Sequence, residues 1–212
     1  MNTWFMSPNG AITLTVLIAI GTGIALLRTI AAQGISTRTI TGSLLILSLI
    51  VFGFGGMLFT GRAFWSWPIG NSHLIWERGF IIAAVLITVL GLALLEDMLR
   101  AAGDTVLARI GMVTYLFGAV VVAVAETAYL NNREWNYPQI VLYIVLAFVA
   151  QAAFGTALLR TGLVMGWVGW ATVIWNLGWL LIMLIVRPSD IYYPVLHHVA
   201  PLIIGIALLA QR

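Results

Sequence analysis

The chain has 212 residues, of which 62% are hydrophobic and only 8% are charged, whereas about a quarter are charged in a typical soluble domain. A water-soluble fold cannot bury that much apolar surface, so the composition excludes a soluble globular protein. The formal net charge of +3 comes from ten basic residues, all of them arginine, set against seven acidic ones. They lie singly in connections and at helix ends, a spacing that indicates membrane orientation and excludes a nucleic-acid-binding surface.

Two reactive residue types are absent from the sequence. Without cysteine, a disulfide, a thiolate metal site and a cysteine nucleophile are excluded. Without lysine, a retinal or pyridoxal Schiff base and the lysine of a phosphate-binding loop are excluded. The sequence also has no nucleophile elbow and no zinc-binding helix motif. It therefore offers no positive support for enzyme activity and leaves any cofactor unknown.

Seven apolar runs follow one another, each close to the roughly 20 residues that a helix needs to cross a membrane. The runs cover residues 11–32, 41–61, 74–96, 106–129, 138–160, 166–186 and 191–210. The first run is too long for the hydrophobic region of a signal peptide, so we expect it to remain as a span. The connections are short and hold charges or helix breakers. We therefore predict one all-α membrane domain, residues 1–212, built as a seven-transmembrane-helix bundle.

The distribution of arginine predicts the orientation, because cytoplasmic connections carry an excess of positive residues. With the N-terminus outside and the C-terminus inside, the inner side has the larger share. The inner arginines are Arg28, Arg38, Arg100, Arg109, Arg160 and Arg212, and the outer ones are Arg62, Arg78, Arg133 and Arg187. The stretch before residue 11 has no positive charge, which agrees with this orientation. Aromatic stretches at 64–76, 129–137 and 192–193 suit an outer interfacial belt.

A short string recurs at the inner end of every odd-numbered predicted helix. The string Gly-x-Ala-Leu-Leu occurs at Gly23–Leu27, Gly91–Leu95, Gly155–Leu159 and Gly205–Leu209, and further glycines follow at Gly42, Gly111 and Gly169. This pattern predicts three tandem helical hairpins plus a seventh helix. Small residues let helices approach closely in a membrane, so we interpret the repeated glycines as packing positions. Parallel repeats occur in transporters and in proteins that grew by duplication, so the repeat does not choose a function.

Polar residues inside membrane spans are costly and are treated first as functional candidates. Most lie in the outer half: Glu77 and Arg78 begin helix 3, Glu126 lies near the end of helix 4, and His197 and His198 lie near the start of helix 7. One interpretation is a pocket in which Glu126 and a histidine bind a cation, exchange a proton or orient a ligand head group. The other is structural. Glu77 and Arg78 then extend to the interface, Glu126 pairs with an arginine, and one histidine bonds a neighbouring helix.

A second set of candidates lies near mid-membrane. Trp175 and Trp179 share a face of helix 6 by their i,i+4 spacing, beside Asn176, and Gln151 lies at a similar depth on helix 5. An aromatic wall beside a buried amide suits a lipid, a quinone or a pigment. Alternatively, the two amides bond each other and join the helices. The glycine-rich stretch 53–56 of helix 2 permits close helix approach, a kink or a bound ligand.

The stretch Ala157–Trp170, ALLRTGLVMGWVGW, resembles the inner turn of some uncharacterised bacterial multi-helix membrane families of unknown function. The resemblance covers about one hairpin. It implies a multi-pass protein of the bacterial cytoplasmic membrane and implies no activity.

Three functional hypotheses remain open. The first is a non-enzymatic membrane protein that binds a small apolar or amphipathic ligand or cofactor within its bundle, alone or as a subunit of a larger membrane assembly. The second is a proton-coupled transporter that uses Glu126 and a helix 7 histidine. The third is a metal-dependent membrane enzyme, although the histidine spacing is not that of a zinc site and no metal site is predicted. The expected partners are the lipid bilayer, a small apolar ligand, and another membrane protein or a second copy of this chain.

Overall fold

The computed structural model describes residues 8–33, 35–64, 71–133, 137–185 and 193–211. Within these ranges the backbone forms seven helices of twelve residues or more and one additional helical turn, without strands. The helices are α1 (Pro8–Gln33), α2 (Thr37–Phe64), α3 (Asn71–Ala101), α4 (Leu107–Asn132), α5 (Tyr137–Thr161), α6 (Gly166–Ile185), α7 (Tyr193–Leu196) and α8 (Val199–Ala210). The all-α prediction is confirmed for this part of the chain.

Five of these helices, α2 to α6, are long and apolar enough to cross a membrane. The apolar parts of α1 and α8, Val16–Ala32 and Val199–Ala210, are shorter. Large apolar side chains such as Leu86 and Val124 are exposed on the outside of the bundle, as lipid-facing side chains are in a membrane protein. The architecture is therefore that of a multi-pass integral membrane protein. The orientation and the tandem arrangement of hairpins stay predictions.

Six helices close a ring. Each of α2, α3, α4, α5 and α6 packs against the next, and α8 packs against both α6 and α2. Helix α1 lies outside the ring and packs on α2. We name the two ends of the bundle by one residue each. The Arg78 end holds the last turns of α2 and α4 and the first turns of α3 and α5, and the Arg38 end holds the opposite termini.

Pairs of glycines bring two pairs of helices into backbone contact. A Cβ added to Gly205 would lie 2.8 Å from the carbonyl oxygen of Gly42, which fixes how closely α8 approaches α2. A Cβ added to Gly169 would lie 3.0 Å from the carbonyl oxygen of Gly155, between α6 and α5. Real Cβ atoms essentially never lie as close as 2.8 Å, and a contact at 3.0 Å requires the neighbour to move by a few tenths of an ångström. Glycine therefore suits both of these close helix approaches.

The other glycines of the recurring pattern differ in their surroundings. A Cβ on Gly91 would lie 2.7 Å from Leu45 Cδ2, and one on Gly111 would lie 2.8 Å from the carbonyl oxygen of Ala150. A Cβ on Gly23 would have no atom of the described residues within 4 Å, and α1 packs mainly on α2. The packing interpretation therefore holds for the ring helices and not for α1.

The predicted helix over 191–210 is interrupted between α7 and α8. Pro201 explains the break, because proline has no N–H to donate to the carbonyl of His197 and its ring clashes with that carbonyl in a continuous helix. The backbone N–H of His198 donates to the carbonyl of Val195 at 3.2 Å, a tighter turn than an α-helix. Both histidines are fully buried, whereas a continuous helix would turn one of them away from the bundle.

Candidate functional site

Four charged side chains form a cluster inside the bundle at the Arg78 end. Arg62 Nε and Nη2 donate to the two carboxylate oxygens of Glu77 at 3.0 and 2.9 Å. Arg78 Nη2 lies 2.8 Å from Glu77 Oε1, and Arg78 Nη1 donates to Glu126 Oε2 at 2.7 Å. We call these four residues the charge cluster. Two guanidinium groups balance two carboxylates, and this pairing offsets much of the cost of removing the charges from water.

Three members of the charge cluster are buried, contrary to one of the two sequence-based interpretations, and the fourth, Arg62, is partly exposed. Glu77 and Arg78 are 0% and 1% exposed, so they do not extend to the interface. They point inward because Arg62 and Glu126 present opposite charges there. The guanidinium of Arg78 also lies 4.5 Å from the centroid of the Tyr129 ring, a favourable cation–π arrangement. The pairing of Glu126 with an arginine is as the structural interpretation predicted.

Two tyrosines and two histidines form a second polar group beside the charge cluster. His197 Nε2 and Tyr143 Oη are 2.5 Å apart, and Tyr143 Oη and Tyr115 Oη are 3.3 Å apart. The ring centroid of His198 lies 4.1 Å from that of His197 and 4.6 Å from that of Phe52. Neither ring nitrogen of His198 has a hydrogen-bond partner among the described residues. A histidine therefore does bond a neighbouring helix, and its partner is a tyrosine of α5.

An internal cavity of about 240 Å³ borders both polar groups. Its polar wall comes from Thr60, Arg78, Glu126, Tyr143 and His197. The rest of the wall is apolar and consists of Phe52, Gly53, Gly56, Phe59, Ile81, Val85, Val122, Ile140 and Val195. Apolar walls with a few converging polar groups are the usual composition of a small-molecule site. The structure thus brings three of the predicted residues, Arg78, Glu126 and His197, to one cavity.

The mid-membrane candidates lie elsewhere and do not form part of this wall. Trp175 and Trp179 contact each other with ring centroids 5.8 Å apart, so their shared face is confirmed. Asn176 Nδ2 donates to the carbonyl of Thr172 in its own helix at 2.7 Å. Both amide atoms of Gln151 are buried without a hydrogen-bond partner in the described ranges. The alternative in which the two amides join α5 to α6 is therefore wrong.

Tyr143 and Phe52 are wall residues that the sequence analysis did not identify. Phe52 is one of nine phenylalanines and Tyr143 one of six tyrosines, and apolar periodicity does not show which of them faces a cavity. Tyr143 carried a usable signal, because a tyrosine in the interior of an apolar span needs a hydrogen-bond partner for its hydroxyl. Pairing that requirement with the buried His197 would have suggested the contact.

Metal ligation needs several His, Asp or Glu side chains within reach of one ion. In the described part of the chain, no three His, Asp or Glu side chains are grouped closely enough to share a metal ion. The third histidine, His73, is exposed near the start of α3. Comparison with protein-family models, curated proteins and solved structures finds no match. The functional proposal therefore rests on the chemistry of the cavity.

Proposed function

We propose that this protein binds a small, neutral, amphipathic molecule in the cavity at the Arg78 end, alone or as a subunit of a larger membrane assembly. One observation supports this most directly: a mostly apolar wall surrounds a partly open space to which Arg78, Glu126, Tyr143 and His197 all contribute. The wall suits an apolar body, and the polar groups suit a hydrogen-bonding head. The resemblance of Ala157–Trp170 to bacterial families supports a location in a bacterial cytoplasmic membrane.

The size of the cavity limits the ligand. An engineered apolar cavity of about 150 Å³ binds benzene. By that comparison, a volume of about 240 Å³ suits a body of roughly ten non-hydrogen atoms. A ring compound or a short branched chain has this size, and a whole phospholipid is far larger.

The charge balance around the cavity favours a neutral head group. Arg78 faces two carboxylates and Glu126 faces Arg78, so neither group needs a counter-charge from the ligand. An ionic ligand would add an unbalanced charge to an interior of low polarity, which is costly. A ligand carbonyl can accept a hydrogen bond from the Arg78 guanidinium, and a ligand hydroxyl can donate to Glu126.

The test compares two substitutions in α4. Val122 borders the cavity and is 2% exposed, whereas Val113 is 59% exposed on the outside of the same helix. Each variant is purified in mild detergent, and co-purifying small molecules are extracted and quantified by mass spectrometry. We expect a neutral compound to be retained by the wild type and Val113→Phe, and at least about tenfold less by Val122→Phe. Equal retention by a monodisperse Val122→Phe protein, or no such compound in the wild type, would contradict the proposal.

Proton-coupled transport is a second candidate, favoured by the position of Glu126 and His197 on the wall of one cavity. A carboxylate and an imidazole there can exchange a proton with a bound molecule. The test is proton flux into reconstituted vesicles, followed with a pH-sensitive dye under an imposed membrane potential. Flux through the wild type and Glu96→Gln, but not through Glu126→Gln, would support transport. Absence of flux through the wild type would count against it.

A further inference from the structure

A second apolar recess lies outside the ring, between α1, α2 and α8, with a volume of about 610 Å³. It follows α1 from Ile18 to Thr29 and α2 from Gly53 to Ile46, and Ile206 of α8 closes its far side. We call it the outer groove. Apolar periodicity does not predict the outer groove, because the groove depends on α1 standing apart from the ring.

The outer groove leads to a basic recess at the Arg38 end, where α1 ends and α2 begins. Thr29 lies on the wall of both spaces, and the basic recess is bordered by Arg28, Ser36, Arg38 and Gln211. Neither arginine forms an ion pair with a carboxylate in the described part of the chain. The outer groove therefore ends at two positive charges that have no carboxylate partner among the described residues.

Arg38 is held in the basic recess by neutral acceptors. Its Nε donates to the carbonyl of Leu208 at 3.1 Å, and its Nη2 donates to Gln211 Oε1 at 2.9 Å. These bonds orient the guanidinium and leave its positive charge in place. A guanidinium fixed in this way loses little conformational freedom when it binds an oxyanion such as a phosphate.

The length of the outer groove distinguishes an acyl chain from a protein helix. Ile18 to Thr29 covers about 17 Å of α1 at 1.5 Å per residue, close to half of the roughly 30 Å hydrocarbon core. An acyl chain reaches across one leaflet, whereas a transmembrane helix of a partner would contact the whole thickness. The basic recess lies at the helix ends, which is the level of the lipid head groups.

We propose that the outer groove and the basic recess together form a binding site for one anionic phospholipid. The phosphate lies between Arg28 and Arg38, and one acyl chain lies between α1, α2 and α8. Negative head groups attract basic side chains near the membrane surface, and the groove adds apolar burial along the chain. The bound lipid fills the space between α1 and the ring and so attaches α1 to the bundle.

The head-group half of the proposal is tested by native mass spectrometry of the whole protein in mild detergent. The protein is titrated with phosphatidylglycerol or phosphatidylcholine carrying identical acyl chains. We expect tighter binding of phosphatidylglycerol, and Arg28→Gln should weaken it about fivefold, the equivalent of about 1 kcal/mol per arginine near a lipid surface. Arg160→Gln is the matched control, because Arg160 is also exposed at the Arg38 end but lies outside the basic recess. Wild-type affinity of Arg28→Gln for phosphatidylglycerol would overturn the assignment.

The acyl-chain half is tested on α1. Ala25 lines the outer groove. Ala31 is exposed on the same helix and lies outside the groove. Ala25→Phe should weaken both lipids several-fold, and Ala31→Phe should bind them as the wild type does. Inorganic phosphate is added as a competitor to separate a lipid site from a free-anion site. Competition by millimolar phosphate together with unchanged lipid binding by Ala25→Phe would identify a free-anion site and overturn the proposal.

Discussion

Arg78 Nη1 donates to Glu126 Oε2 at 2.7 Å, and this bond joins α3 to α4 at the wall of the internal cavity. The two side chains are 1% and 5% exposed, so neither charge has access to bulk water. In such a pair the net contribution of the bond is modest, but removal of one partner leaves the other charge buried. The bond therefore determines both the stability of this end and the polarity of the cavity.

The stability of the Arg78 end should depend on Glu126. Glu126→Gln leaves two guanidinium groups facing Glu77 alone. We expect the free energy of unfolding to fall by about 2–3 kcal/mol, somewhat less than the roughly 3–5 kcal/mol for breaking a buried pair, since Glu77 still balances part of the charge. Unfolding in mixed micelles, followed by tryptophan fluorescence, measures the change.

Glu96→Gln is the control for this prediction. Glu96 pairs with Arg109 at 2.6 Å, but the Arg109 side chain is 56% exposed. The Glu96 side chain itself is 10% exposed. Because its partner is open to solvent, this pair should contribute less than the buried pair of Glu126, so Glu96→Gln should lose less stability than Glu126→Gln. Equal destabilisation by the two substitutions would show that burial of the charge cluster does not raise the cost of breaking it.

The contact between Tyr143 and His197 should contribute more than the contact between the two tyrosines. Tyr143→Phe removes the hydroxyl that lies 2.5 Å from His197 Nε2, and we expect a loss of about 1–2 kcal/mol for a buried hydrogen bond. Tyr115→Phe removes a hydroxyl whose contact with Tyr143 Oη is longer, at 3.3 Å, so its effect should be smaller. Thermal unfolding in one detergent ranks the two variants, and the reverse order would contradict the assigned network.

Closure of the ring should require glycine at residue 205. Gly205→Ala places a Cβ 2.8 Å from the carbonyl oxygen of Gly42, and we expect about 1–3 kcal/mol of destabilisation from the forced separation of α8 and α2. Gly23→Ala meets no atom within 4 Å and should be neutral, or stabilising by up to about 1 kcal/mol through helix propensity. A ring that tolerates Gly205→Ala without loss of stability would show that this close approach is not required.

The orientation can be tested without background labelling, because the chain has no cysteine. Thr105 and Asn131 are exposed at opposite ends of α4, at the Arg38 and Arg78 ends. With the N-terminus outside, a membrane-impermeant maleimide added to intact cells should label Asn131→Cys and leave Thr105→Cys unlabelled until the cells are lysed. The reverse pattern would place the N-terminus inside.

The helices were predictable because long apolar runs alternate with charged connections, and that pattern alone determines which segments are helical. The partners of polar side chains were predictable only by type. The sequence indicated that Glu126 would pair with an arginine, but the choice of Arg78 depends on the rotation of α3 and α4 about their axes. Contacts such as that of Gly111 with the carbonyl of Ala150 set this rotation, and periodicity does not specify them.

The cavity was not predictable, because an empty space results from how all surrounding side chains pack. The glycines of α2 illustrate this. A Cβ on Gly55 would lie 3.0 Å from the carbonyl oxygen of Glu77, so α3 packs directly on it. Gly53, two residues earlier, has no such neighbour and lies on the cavity wall. The same residue type is a packing contact at one position and an open wall at the other.

Gly53 lies on the wall of both the internal cavity and the outer groove. At this position only the backbone of α2 stands between the two spaces, because glycine has no side chain to fill the boundary. Any side chain at residue 53 would take volume from one of the two spaces, so the smallest residue keeps both of them open.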